Sequence, residues 1–285
     1  MSAIYHPNNP IGQEYNFEIL IKAHPILNDY IKEINQRKTL DFGDPKAILA
    51  LNTSLLKHYY KVVYWEFPEH NLCPPIPSRA DYLYHVNDLI ATNEHAVVLD
   101  IGVGANCIYP LIGSSAFDWQ FIGSDVSKDS LTSAKAIINN NTHLASKIIL
   151  RHQKEVKYIF KNVIAPNEYI HATVCNPPFH ASAEAAHKAN TRKVENLGTQ
   201  QGLNFSGKDH ELYCEGGEMG FLKQMVYESQ FYKTQVGWFT SLVSKKENIR
   251  PLKVALKKIG CTTFKVIPMQ HGNKQSRILA WSFSL

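Results

Sequence analysis

Residues Ala96 to Cys107 read AVVLDIGVGANC. A β-branched, apolar run meets Asp100 and then a turn with glycine at 102 and 104. That is the pattern of a buried strand whose chain must reverse tightly at its end. Glycines there let the backbone turn and lie close to a bound ligand. The third glycine of the dinucleotide-binding fingerprint is absent, because Cys107 stands in its place. A hydride-transfer reading therefore has no support. A second apolar run, WQFIGSD, ends at Asp125, 21 residues after Gly104. An acid at that strand end can accept both hydroxyls of a ribose.

Outward from this pair the same rhythm continues. Apolar runs KIILRH, YIHATVCN and QVGWFTSLVS follow, with helix-like stretches such as SKDSLTSAKAIINNN between them. Strands alternating with helices imply βαβ units and a mainly parallel sheet. The last two runs, TTFKVIPM and RILAWSFSL, are separated only by QHGNKQS, which predicts a terminal antiparallel hairpin. The expected fold is α/β, with a seven-stranded, mainly parallel sheet. Residues 1–92 read as a small helical N-terminal region and residues 93–285 as the main domain. Phe17, Leu20, Ile21, Ile26, Leu27, Ile31 and Ile34 lie near a helical stripe interrupted by Pro25. Asp44 and Ser78 are candidate N-caps of two further helices, and FPEHNLCPPIP between those helices reads as an extended connector. A long stretch without a strand, about 180–217, follows the fourth run, and loops of that length are usually functional.

Bulk properties narrow the class. The 285 residues are 44% hydrophobic, with no run near the ~20 apolar residues of a membrane span. The N-terminus carries no secretion pattern. The cysteines at 73, 107, 175, 214 and 261 form no CxxC pair and fit neither a disulfide framework nor a zinc site. A reduced, cytoplasmic, metal-free protein is expected, with no membrane partner and a monomer favoured. His171, His180 and His187 read as surface or loop residues rather than as ligands. Lys233–Leu285 holds ten Lys/Arg against one acid, so that +9 there leaves −4 elsewhere in a chain of net +5. Such asymmetry fits either an anionic partner or a solvated basic helix face. If the partner is RNA, Arg151–Lys161 and Lys188, Arg192 and Lys193 are further candidates for phosphate contact.

An acid near the end of the first strand, GxG without the third glycine, and a ribose acid together resemble the S-adenosylmethionine site of Rossmann-like class I methyltransferases. VCNPPFH, Val174 to His180, then gains a meaning. Its strand is the fourth of the sheet, beside the first across the topological switch point, where open α/β sheets bind ligands. The Asn176 side-chain oxygen and the Pro177 carbonyl can accept the two N–H protons of a conjugated amino group and aim its nitrogen at a methyl donor. Pro177 and Pro178 stiffen the backbone, and Phe179 offers a face on which a base can stack.

The blocks CPPIPSRADYLYH, LDIGVGANCIYPLIG, CNPPFH, ELYCEGGE, WFTSLVSKKENI and KQSRILAW resemble one family: the bacterial ribosomal RNA large-subunit methyltransferase F, related to the eukaryotic enzymes that modify U6 snRNA. The resemblance spans nearly the whole chain. It implies N6-methylation of an adenine in 23S rRNA, with the rRNA or a large-subunit assembly intermediate as partner. It also implies donor contacts at Arg79, Asp100, Gly102, Gly104, Asn106, Asp125, Gln153 (or Glu155) and Asn176. Two other readings stay open at this level. One is a protein-glutamine N5-methyltransferase, which uses the same Asn-Pro-Pro logic. The other is a non-catalytic RNA-binding assembly factor on the same fold.

Overall fold

The computed structural model describes residues 5–12, 14–69, 71–90, 95–178, 216–271 and 274–283. Phe179 and nearly all of the 180–217 loop lie outside them, as do Cys214, His180, His187, Lys188, Arg192 and Lys193.

The seven strands stand where the apolar runs placed them. They are β3 (Val97–Ile101), β4 (Gln120–Asp125), β5 (Ile148–His152), β6 (Ile170–Cys175), β7 (Val236–Val243), β8 (Thr263–His271) and β9 (Lys274–Ser282). Their spatial order is β5-β4-β3-β6-β7-β9-β8. The first five are parallel, and β9 pairs antiparallel with both β7 and β8. The helices α4 (Ile108–Ala116) and α5 (Lys128–Asn140), a short α6 (Thr142–Ala145), α7 (Gly217–Ser229) and α8 (Ile249–Lys258) connect the strands. Successive strand residues serve opposite faces. In β9, Ile278 and Ala280 join one core, while Leu279 and Trp281 join the other.

The N-terminal region packs on the first of these faces. Leu51, Leu55 and Tyr60 of α2 (Pro45–Tyr60) and Tyr82 and Leu83 of α3 (Ile76–Asn87) share one buried cluster with Val98, Phe121, Trp238 and Ile278 of the sheet.

This region departs from the expected run of helices. α1 (Phe17–Ala23) stops one residue before His24, which is extended (φ −147°) because the ring of Pro25 excludes helical backbone from the preceding residue. A 3₁₀ turn, Pro25–Tyr30, leads into a hairpin of β1 (Ile31–Ile34) and β2 (Arg37–Leu40). Ile26 and Ile34 are 55% and 58% exposed, so they do not extend a buried helical stripe. Asp44 does cap α2, accepting from Lys46 N at 2.9 Å. Ser78 does not cap α3. That helix begins at Ile76 with Pro77 in its first turn, where a missing N–H does no harm, and Ser78 Oγ donates to the Pro75 carbonyl instead.

Asn141 fastens the connector after α2 to the sheet layer. Its fully buried amide accepts from Val63 N (2.8 Å) and donates to the Tyr64 (2.7 Å) and Ile137 (2.8 Å) carbonyls. Truncation would leave those backbone groups unpaired at about 1–3 kcal/mol each. Asn141→Ala is therefore expected to lower the unfolding free energy by roughly 3–5 kcal/mol, read as a shift of the urea midpoint at unchanged slope. A loss under about 0.5 kcal/mol, the range of neutral surface changes, would show that the staple carries no load.

Candidate active site

β3 and β6 run side by side to the pair Ile101↔Cys175, and there both strands end. The chain leaves β3 through Gly102 (φ +74°) and Gly104 (φ +65°), both left-handed, as a turn this tight requires. The N–H groups of Gly102 and Val103 converge on the Ser124 carbonyl of β4, each at 2.9 Å. Gly104 N donates to Asp125 Oδ2 at 2.9 Å. A Cβ added at Gly102 would meet nothing within 4 Å, so this side of the turn is open.

Two carboxylates line the opening, in different states. Asp125 is 7% exposed, and each of its oxygens accepts one backbone bond, Oδ1 from Ser127 N (2.8 Å) and Oδ2 from Gly104 N. Asp100 is 1% exposed, and neither oxygen has a hydrogen-bond partner among the described residues. Burial pushes its pKa well above the ordinary carboxylate value, and the Asp125 charge adds to the rise, while Arg79 opposes it. Arg79 is no surface residue. It is 9% exposed, and its Nη1 donates to Tyr109 Oη at 3.0 Å, which leaves other guanidinium donors for a ligand.

Across the seam, Asn176 follows β6 directly. Its residue is half-buried, and its Oδ1 is fully enclosed without a hydrogen-bond partner among the described residues. Pro177 is buried and Pro178 half-buried. Arg79, Asp100, Gly102, Gly104, Asp125 and Asn176 thus converge on the carboxyl ends of β3, β4 and β6. Asn106 and Gln153 border them with their amides hydrogen-bonded to backbone groups of the chain. Asn106 Oδ1 accepts from Ile108 N (3.2 Å), and its Nδ2 donates to the Leu72 carbonyl (3.4 Å). Gln153 donates to the Lys161 carbonyl (2.8 Å) and accepts from Glu155 N (3.0 Å). Glu155 in turn accepts from Asn162 Nδ2 at 3.1 Å.

Arg151 is not available for phosphate, because its guanidinium is held by the Glu168 carboxylate and the Val163 carbonyl. Lys154 and Lys157 in the same stretch are exposed, as are Lys245, Lys246, Arg250, Lys257 and Lys258. His171 lies on β6, where its Nδ1 accepts from Val97 N at 2.9 Å. Among the described residues, ligand atoms of His6, His85 and Asp88 lie within 4.8 Å of one another. Asn8 N donates to His6 Nδ1 (3.2 Å), so Nε2 carries the proton and gives it to Asp88 (2.9 Å). Both nitrogens are engaged, and the contact ties the N-terminal segment to α3 and the turn after it.

Reading the sequence alone misses two buried acids that shape the rim. Glu228 accepts from Ile159 N (2.7 Å), Phe160 N (2.9 Å) and Lys161 N (2.8 Å), fixing the loop after β5. Glu218 accepts from Ser244 N (2.7 Å), Lys245 N (3.3 Å) and Asn248 Nδ2 (2.6 Å), fixing the loop after β7. Only their burial inside α7 marked them out, because acids are rarely interior without partners.

The parallel sheet with its antiparallel end and the glycine turn at the seam define a class I methyltransferase fold. The chain belongs to a methyltransferase family: the model described as RNA methyltransferase matches residues 1–284. It is 48% identical over 287 residues to the ribosomal RNA large subunit methyltransferase F of Klebsiella pneumoniae subsp. pneumoniae, covering 98% of this chain and 94% of that one. The protein of the same name from Flavobacterium johnsoniae is 46% identical over 294 residues, with 98% and 93% coverage. Among solved structures, the hMettl16 catalytic domain in complex with MAT2A 3′UTR hairpin 1 superposes with a TM-score of 0.84 at 29% identity, over 98% of this chain and 95% of that one. The N-terminal domain of human METTL16 in complex with SAH gives a TM-score of 0.78 at 26% identity, over 99% of both chains.

The state of Asp100 has a measurable consequence. Its folded pKa lies above its unfolded one, so the folded chain loses stability as pH rises from the unfolded value toward the folded one. Asp100→Asn removes that titration. In the absence of ligands its Tm is expected to exceed wild type by roughly 3–6 °C at pH 7, with the gap closing toward pH 4. A gap that is constant with pH would contradict the assignment.

Proposed function

We propose that this chain is an S-adenosylmethionine-dependent methyltransferase acting on the N6 amino group of an adenine in 23S rRNA. The observation that carries the proposal is the enclosed, unpartnered Oδ1 of Asn176 beside Pro177, at the seam that also holds Asp100 and the glycine turn. An enclosed acceptor with no donor costs about 1–3 kcal/mol, and a substrate N–H removes that cost. Asp100 and Arg79 raise the same point for the donor. A buried carboxylate without a hydrogen bond calls for a cation such as an α-ammonium, and a guanidinium with spare donors calls for a carboxylate. The residues therefore fit S-adenosylmethionine: Arg79 for its carboxylate, Asp100 for its ammonium, and Asp125, at the end of β4, for its ribose. Gly102 and Gly104 leave room for its backbone-like portion. Bound there, the donor supplies an electrophilic methyl group on sulfur.

The chain's own residues then act on the amine. Asn176 Oδ1 and the Pro177 carbonyl accept hydrogen bonds from its two N–H groups, which turns the nitrogen lone pair out of conjugation and toward the seam. Pro177 and Pro178 keep the acceptors aimed, and Phe179 is assigned the stacking face. The base must come from a single strand or be flipped out of its helix. Residues 1–92 contribute Arg79 and one wall, and the 180–217 loop with the exposed lysines supplies RNA contacts. The names of the curated relatives and the RNA hairpin bound by hMettl16 support RNA over protein as the substrate.

The test offers tritiated methyl donor to protein-free 23S rRNA, to large-subunit assembly intermediates and to a release factor. Label in rRNA, recovered as N6-methyladenosine, is expected. Asn176→Ala should lower kcat by about 10²–10³-fold while RNA binding is retained. Label only on protein would overturn the reading.

A further inference from the structure

The seam has a second side. β6 stays paired with β3 as far as Cys175, but its backbone pairing with β7 consists of Ile170↔Val236 and Ala172↔Trp238. β7 itself runs on to Val243, paired with Arg277 of β9. Between Ala172 and Asn176, therefore, β6 and β7 are joined by side chains. Thr240 N donates to Thr173 Oγ1 at 3.0 Å, and Thr240 Oγ1 donates to the Thr173 carbonyl at 2.6 Å.

Tyr82 completes this join from α3. Its hydroxyl lies 2.7 Å from Thr240 Oγ1 and 3.2 Å from Cys175 N. The proton directions follow from the partners. The single proton of Thr240 goes to the Thr173 carbonyl, so Tyr82 gives its own proton to Thr240 Oγ1 and accepts the Cys175 N–H. Tyr82 is fully buried, and burial pushes its pKa well above the ordinary phenol value, so it stays a neutral hydroxyl that can hold both roles. Its ring meets Tyr109 edge-on at 5.5 Å, and Tyr109 Oη accepts from Arg79. One stack thus joins the residue proposed to hold the donor carboxylate to the peptide group just before Asn176.

We infer that Tyr82, acting through Thr240, is a positioning residue that fixes the angle at which Asn176 presents its oxygen to the substrate amine. The inference rests on the reading of Asn176 given above. An ordinary backbone ladder would hold Cys175 through peptide groups alone, whereas here the hold passes through side-chain hydroxyls that also tie the strand end to α3. The hydroxyl relay holds the strand end beyond the last backbone pair, Ala172↔Trp238.

Steady-state kinetics of Tyr82→Phe, Thr240→Val and Thr240→Ser on the full chain test it, with Tm and the dissociation constant for S-adenosylhomocysteine measured alongside. Tyr82→Phe and Thr240→Val should each lower kcat by about ten- to a hundredfold, well below their Tm, with product affinity and the KM for RNA within about twofold of wild type. Thr240→Ser, which keeps the hydroxyl, should retain near-wild-type kcat. The pair Tyr82→Phe/Thr240→Val should lose no more than the worse single variant, as expected for one relay. A wild-type kcat with a lowered Tm in both Tyr82→Phe and Thr240→Val would overturn the inference and leave the relay purely structural. If Tyr82→Phe does not fold, the contrast of valine with serine at 240 decides alone. Failure of the underlying reading is distinct: there Asn176→Ala itself would keep full activity.

Discussion

A parallel sheet wound outward from its middle must open once, where neighbouring strands send their chains to opposite faces. In this chain that place is the end of β3 and β6. Both strands reach the pair Ile101↔Cys175, and then one continues into the glycine turn and the other into Asn176-Pro177-Pro178. Arg79 reaches the site from a helix, and Asp100, Gly102, Gly104, Asp125 and Asn176 lie within three residues of a strand end. The ladder on each side gives these groups a rigid base, while the divergence of the chains keeps backbone from filling the gap between them.

The walls of the gap are built from buried polar groups, and each has an identifiable reason to be there. Asp125 closes the glycine turn, Glu228 and Glu218 close the loops after β5 and β7, and Asn141 locks the N-terminal connector. These are satisfied by the fold itself. Asp100 and the Asn176 oxygen are not satisfied by any described residue. Neutral groups elsewhere, such as Ser114 Oγ, Ser130 Oγ and Trp119 Nε1, also lack a partner among the described residues, but Asp100 is the carboxyl with neither oxygen bonded, and it shares the seam with the open Asn176 oxygen. That asymmetry, more than the shape of the sheet, separates a site for chemistry from a well-made turn.

How far this was readable beforehand follows from the range of the forces involved. The seven strands, the glycine turn, Asp125 and NPP depend on short-range chemistry, and the chain spells them out locally. The β1–β2 hairpin was hidden because its turn places Asn35 and Gln36 at φ +51° and +63° without the glycine that normally marks such a turn. Isoleucines at 26, 31 and 34 completed a helical spacing by coincidence. Arg79 was reached only through family resemblance, since nothing local distinguishes an arginine near a helix start from a solvated one. Tyr82 could not be found at all. Its partners are 93 and 158 residues away, on β6 and β7. Asn106 and Gln153, like Arg79, were reached only through family resemblance, and each amide is tied to the protein's own backbone.

The central claim is that the open acceptor at Asn176 receives the amino group of an adenine in large-subunit rRNA. Its most direct measurement is nucleoside mass spectrometry of 23S rRNA fragments from the source organism with the gene deleted, and from the same strain complemented with wild-type or Asn176→Ala protein. The account predicts that one N6-methyladenine disappears on deletion, returns with the wild-type gene and stays absent with the variant. An unchanged N6-methyladenine profile in the deletion strain, or full restoration by the Asn176→Ala protein, would contradict it.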